Sequence, residues 1–176
     1  MNTGLTGKSS EHNECKNNTL EFEVMEEIIK RGMTVATAES CTGGMAAARL
    51  INYPGASRAF INGFITYTNE SKHRLLGVKN ETLEKYGAVS PQTAEEMCVG
   101  AASVSGTDIG ISTTGIAGPG GGTVEKPVGL VYIGVAIKGR VTVKKLLNKG
   151  SREKIRTEST TALIELLRQE LKNTED

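Results

Sequence analysis

The order of periodicities along the chain predicts an α/β domain with a mostly parallel sheet and at least one antiparallel strand. Strand-like and helix-like segments alternate from Thr19 to about Gly115, the pattern of successive βα units. Beyond that point two apolar runs flank Lys138-Gly139 and read as a hairpin. Glycine is abundant, 21 of 176 residues, and several cluster where a strand ends, which lets backbones approach each other or a ligand closely.

Residues 1–18 lack apolar periodicity and are expected to form a flexible arm ahead of one domain over 19–176. From Thr19, Phe22, Met25, Ile28 and Ile29 recur at helical spacing, with Gly32 as the C-terminal cap. Thr34 to Ala38 is a short strand. A helix follows Gly43 and runs to about Asn52, where Tyr53-Pro54-Gly55 stops it. Ala59 to Tyr67 is a strand. Asn69 to Leu76 is a short helix capped by Thr68 or Asn69 and closed by Gly77. Glu81 to Tyr86 is a further helical turn. Ser90-Pro91 opens a helix that ends near Gly106, with serine as cap and proline in the first turn. Asp108 to Thr114 is a strand that runs into a glycine-rich loop. Gly129 to Ile137 and Val141 to Leu147 are the hairpin strands. Ser151 caps a last helix with Ile155, Ser159, Ala162, Leu163, Leu166, Leu167 and Leu171 on one face.

Composition narrows the function. A formal net charge of +1 gives no electrostatic case for a nucleic-acid or membrane surface. No apolar run approaches the roughly 20 residues a membrane helix needs, and no signal peptide is visible. Three scattered cysteines, Cys15, Cys41 and Cys98, read as reduced thiols of a cytoplasmic protein. Only two histidines, His12 and His73, are present, which disfavours zinc and other multi-histidine chemistry.

In sheets of this type ligands bind beyond the carboxyl ends of strands, so the loops at 39–44, 67–72 and 114–122 are read as one site. The first, in AESCTGG, offers Ser40 beside Cys41 and Thr42. The serine is either a helix cap or a nucleophile next to free amides, which Gly43 and Gly44 leave sterically open. His73 is the plausible histidine base. The second loop, YTNESK, puts Lys72 in a first helical turn, an unfavourable place for an ammonium. Lys72 is thus either a surface lysine offset by Glu70 or a lysine of depressed pKa able to accept a proton, with Tyr67 close by. The third loop, TGIAGPGGG, is a linker or an anion-binding nest of amides; it is neither a P-loop nor a dinucleotide fingerprint. Arg152 and Arg156 stand four apart at the start of the last helix, a like-charge pair suited to a bound anion or screened by Glu153 and solvent.

AESCTGG, YTNESKHRLLGV, GAVSPQTAEEM, TGIAGPGGGTVEKPVG and GSREKIR, in this order, resemble the motifs of the CinA C-terminal family, whose enzymatic members are nicotinamide mononucleotide deamidases. The resemblance covers about residues 20–172. It implies a three-layer α/β/α fold with a mixed sheet. It also implies a serine/lysine amidohydrolase of pyridine nucleotide salvage that needs no cofactor and no metal. Carried over by motif, Ser40 is the nucleophile, Lys72 the general base and Tyr67 a supporting catalytic residue. Thr42, Gly43, Gly44, Thr114, Gly115, Gly118, Gly120 and Gly121 line the substrate site. The oxyanion is held by amides around Thr42 to Gly44 or near Gly115, and Arg152 or Arg156 holds the substrate phosphate. Cys41 is a packed neighbour. The family usually carries aspartate in GDRxxIR where Ser151 stands here. The larger N-terminal domain of full-length CinA proteins is absent from these residues, which implies a stand-alone deamidase; relatives are commonly homo-oligomers. The competing reading is a non-catalytic nucleotide-binding module of a competence- or damage-associated protein, which would keep the glycine loop and arginines without needing Ser40 or Lys72.

Overall fold

The computed structural model describes residues 19–174. The expected N-terminal arm, with His12 and Cys15, lies outside the described residues. The elements follow in the order α1 (Leu20–Lys30), β1 (Val35–Glu39), α2 (Met45–Ile51), a 3₁₀ turn (Ala56–Arg58), β2 (Phe60–Ile65), α3 (Asn69–Leu76), α4 (Asn80–Tyr86), α5 (Pro91–Ser105), β3 (Ile109–Gly115), β4 (Leu130–Ile137), β5 (Arg140–Leu147) and α6 (Arg152–Lys172). They build one five-stranded sheet in the order β2-β1-β3-β4-β5. β1 pairs in parallel with both β2 and β3, whereas β4 is antiparallel to β3 and β5. Four strands therefore run one way and β4 alone runs back. Helices cover both faces, as expected for a three-layer α/β/α arrangement.

The two faces of the sheet are unlike. On one, Val35, Ile109, Ile111, Ile133, Val135 and Ile137 pack against Met25 and Ile28 of α1, Leu50 of α2, and Leu163 and Leu167 of α6. Branched aliphatic side chains suit this pleated, buried surface. On the other face Ala36 and Ala38 meet Leu76, Leu83, Met97 and Ala101 from α3, α4 and α5. Here α5 lies almost on the strands. A Cβ on Gly110 would stand 1.9 Å from the Cys98 carbonyl oxygen, and one on Gly134 would stand 2.7 Å from Ser112 Oγ. Ser112 Oγ in turn donates to the Ala94 carbonyl at 2.6 Å, stapling β3 to the helix.

Local signals account for the boundaries. Ser90 accepts from the Thr93 amide and Pro91 opens α5, while Gly106 closes it in the left-handed region. Lys138 and Gly139 both take positive φ, 48° and 83°, as a tight two-residue hairpin requires. β1 begins and ends one residue later than the apolar run suggests. Thr34 uses its amide and hydroxyl to bind Asp108 Oδ2, at 2.8 and 2.9 Å, tying together the chain ahead of β1 and β3. Glu39 instead joins the ladder, opposite Ile65 and Thr113. No described helix is long and apolar enough to cross a membrane.

Candidate active site

β2, β1 and β3 are neighbours that point the same way, so the loops after them meet at one end of the sheet. Lys72 enters from α3. Thr68 and Ser71 form a reciprocal capping box, each side chain accepting from the other's amide at 3.1 Å, which fixes the start of that helix. The lysine is 1% exposed. Its Nζ donates to the Thr66 carbonyl at 2.7 Å and to Ser40 Oγ at 3.2 Å. Burial removes water from the ammonium and pulls its pKa down to about 8, while nearby Cys41 acts in the opposite direction. Ser40 and Lys72 both line a cavity of about 250 Å³. Tyr67, Ala88, Thr114, Gly115, Gly118, Gly120, Gly121 and Arg152 form other parts of its wall.

Arg152 and Arg156 do not act as one cluster. Arg152 reaches over the cavity, donating to the Gly118 carbonyl and to Tyr67 Oη, both at 2.8 Å. Arg156 turns the other way and donates to the carbonyls of Cys41 at 3.0 Å and Thr42 at 2.7 Å. Four residues along a helix put the two Cα positions on one side, but each long side chain serves a different loop. Ser151 does cap α6, accepting from the Lys154 amide at 3.2 Å, so serine fills the helix-capping role of the family's aspartate.

The Ser40–Gly44 turn also differs from expectation. Gly43 and Gly44 are required by backbone conformation, with φ of 61° and 94°. Their amides are not open: Gly43 donates to the Ser40 carbonyl at 3.1 Å and Gly44 to Glu39 Oε2 at 3.0 Å. Neither Ser40 nor Thr42 caps α2. The buried carboxylate of Glu39 does so, accepting also from the amides of Ala46 and Ala47. Thr42, whose hydroxyl donates to Glu39 at 2.6 Å, lies with Gly43, Gly44 and Arg156 outside the cavity wall. Among the described residues no acceptor takes the amides of Thr42, Ala117, Gly118, Gly120 or Gly121. Unlike Thr42, the glycine-loop residues line the cavity, so the loop is the larger store of unpaired donors at its wall.

Other side chains fall into supporting positions. Thr114 Oγ1 donates to the Ala88 carbonyl at 2.6 Å, holding the segment before α5 against the cavity. Cys41 is 5% exposed, and burial pushes its thiol up to about 11, far from a thiolate nucleophile at neutral pH. His73 Nδ1 is 2.8 Å from the Val78 carbonyl, an acceptor, so this nitrogen carries the proton and is not a base for Ser40. Among the described residues no group of three His, Cys, Asp or Glu side chains could hold a metal ion. Glu39 is the residue that sequence reasoning overlooked. A usable signal exists: the helix after AESCTGG has no Ser, Thr, Asp or Asn at its cap position, Gly44, and so lacks an acceptor of its own.

Residues 17–171 match the sequence model of the CinA C-terminal domain. A Clostridium beijerinckii protein described as competence-damage inducible is 57% identical over 141 residues, which make up 80% of this chain and 34% of that protein. A Clostridium perfringens protein of the same description is 58% identical over 153 residues, 87% of this chain and 37% of that one. The chain spans about a third of the length of these curated relatives. Among solved structures, the competence/damage inducible protein CihA from Agrobacterium tumefaciens superposes with a TM-score of 0.80 at 41% identity, over 86% of this chain and 95% of that one. A CinA superfamily protein from Klebsiella pneumoniae gives 0.84 at 32% identity, over 88% and 96%.

Proposed function

Because the chain belongs to the CinA C-terminal domain family, we propose that it is an amidohydrolase that converts nicotinamide mononucleotide to nicotinic acid mononucleotide and ammonia. The observation that carries this reading is the buried contact of Lys72 Nζ with Ser40 Oγ at 3.2 Å. A lysine with a pKa near 8 is partly neutral at physiological pH and can accept the serine proton.

In this reading the substrate carboxamide lies against Ser40. Lys72 takes the hydroxyl proton as Oγ bonds to the carboxamide carbon. Negative charge moves to the carboxamide oxygen, where the unpaired amide of Ala117 at the cavity wall stabilises it. Protonated Lys72 then returns the proton to the nitrogen, the carbon–nitrogen bond breaks and ammonia leaves. Water, deprotonated by Lys72, attacks the acyl carbon and frees Ser40, which regains its proton from Lys72. Tyr67, whose hydroxyl accepts from Arg152 and keeps its own proton to donate, lies on the cavity rim to orient the leaving group. Arg152 and the amides of Gly118, Gly120 and Gly121 suit the substrate phosphate.

Ammonia release from nicotinamide mononucleotide by the purified protein tests the reading. Stoichiometric nicotinic acid mononucleotide is the expected product. Binding of the mononucleotide without ammonia release would replace the enzyme by a nucleotide-binding module.

A further inference from the structure

We propose that Glu39 and Arg156 are positioning residues for Ser40, a clamp that grips the serine turn from both of its polar sides. The inference rests on the Ser40–Lys72 reading above.

Glu39 is fully buried at the end of β1. Its carboxylate accepts four hydrogen bonds, from Thr42 Oγ1 and from the amides of Gly44, Ala46 and Ala47. Thr42 Oγ1 is also 2.6 Å from Thr113 Oγ1, so with its own proton given to Glu39 it accepts from Thr113, and β3 joins the network. Arg156 holds the opposite polarity of the same turn, the carbonyls of Cys41 and Thr42. Amides face the anion and carbonyls face the cation, and the residue next to Glu39 and Cys41 is Ser40.

The backbone of Glu39 reaches the other partner. Its carbonyl accepts from the Thr66 amide at 2.8 Å. The Thr66 carbonyl in turn accepts from Lys72 Nζ at 2.7 Å. One residue thus sets the serine turn through its side chain and the lysine anchor through its main chain. A shift of Glu39 changes the 3.2 Å separation on which proton transfer depends.

Glu39→Gln separates positioning from mere helix capping. Three donors converge on Oε2 and one on Oε1. A carboxamide must therefore turn its NH₂ toward a donor whichever way it is flipped. Displacing the reacting groups by about 1 Å costs on the order of a hundredfold in rate. The expected result is kcat down about a hundredfold with KM within about twofold, the pattern of a lost transition-state interaction. Labelling of Ser40 by a fluorophosphonate, which forms the Oγ–P bond and expels fluoride, should slow by at least about tenfold alongside it.

Arg156→Met, which keeps the aliphatic stem on a half-buried residue, carries the same test should Glu39→Gln not fold. It too should lose kcat and labelling rate while KM holds. A higher KM at unchanged kcat in Arg156→Met would assign this arginine to substrate anion binding and overturn the clamp. So would wild-type labelling in a folded Glu39→Gln protein. A wild type that labels at Ser40 but releases no ammonia removes the substrate assignment alone, and the labelling ratio of variant to wild type still decides the clamp.

Discussion

Replacing Lys72 by methionine makes the protein inactive and, near neutral pH, no less stable. Burial lowers the lysine from 10.5 to about 8. At about 1.36 kcal/mol per pH unit this drop represents roughly 3 kcal/mol of disfavoured positive charge. Methionine fills similar space without the charge. It leaves the Thr66 carbonyl without its donor, a loss of about 1–3 kcal/mol. The balance is a gain of about 0–2 kcal/mol, or up to roughly 6 °C in Tm for a domain of this size. The pH dependence is sharper than the magnitude. Between pH 8 and 10.5 the unfolded chain binds a proton at this lysine that the folded chain does not, so wild-type stability rises with pH across that window. Below it the wild type bears the full penalty; above it the penalty is gone. Other titrating groups are common to both proteins and cancel in the difference. Thermal melts of both proteins from pH 7 to 10.5 should therefore show the variant's stability relative to wild type falling by roughly 3 kcal/mol, from a gain of about 0–2 to a loss of about 1–3 kcal/mol. In parallel, wild-type log(kcat/KM) should rise through an apparent pKa near 8. A constant stability difference across the range would mean Lys72 titrates normally in the fold. Full activity of Lys72→Met would end the serine/lysine mechanism.

Three further outcomes are expected. Ser40→Ala should bind mononucleotide yet form no acyl intermediate by mass spectrometry, whereas Cys41→Ala, losing a thiol already held near 11, should deamidate at a rate close to wild type; the opposite pattern makes Cys41 the nucleophile. Arg152→Ala should raise KM for the mononucleotide about tenfold or more, in line with roughly 1.5–3 kcal/mol for a charge-assisted hydrogen bond, and change it little for the dephosphorylated riboside; equal losses on both would take phosphate recognition away from Arg152. Gly110→Ala places a Cβ 1.9 Å from the Cys98 carbonyl, so denaturant unfolding should show a loss of about 1–3 kcal/mol or more, and an unchanged midpoint would mean α5 is free to move off the sheet.

Much of this was legible in the residues because the signals were local. Ser90-Pro91, Thr68 with Gly77, and Lys138-Gly139 each encode a boundary through their own backbone chemistry, and the structure keeps them. The three loops converge because strand direction follows from alternation with helices. What escaped depends on burial and reach. The sequence leaves Lys72 either a surface lysine or one of depressed pKa, and only the fold, which sets its Nζ on Ser40 Oγ and the Thr66 carbonyl at 1% exposure, decides for the second. Glu39 looks like an ordinary surface carboxylate until β1 is seen sandwiched between β2 and β3. The spacing of Arg152 and Arg156 gave their shared helix face correctly. It could not say that one guanidinium would reach Gly118 and the other Thr42.

The unlike faces of the sheet have a consequence for how such a chain can change over time. On the side of α1, α2 and α6, aliphatic residues of similar volume can be exchanged among themselves at modest cost, since a core keeps its fold while total volume and pattern are kept. On the side of α5 the side chains are smaller and the helix comes close enough at two strand glycines that any side chain at Gly110 or Gly134 meets carbonyl or hydroxyl oxygen. One layer is free to drift in sequence while the other is pinned at Gly110 and Gly134. β1 and β3 have one side in each layer, and the loops that follow them carry Ser40 and the glycine loop. The pinned α5 contact thus acts as a datum plane from which those loops are measured, and divergence in the aliphatic layer can accumulate without carrying the cavity with it.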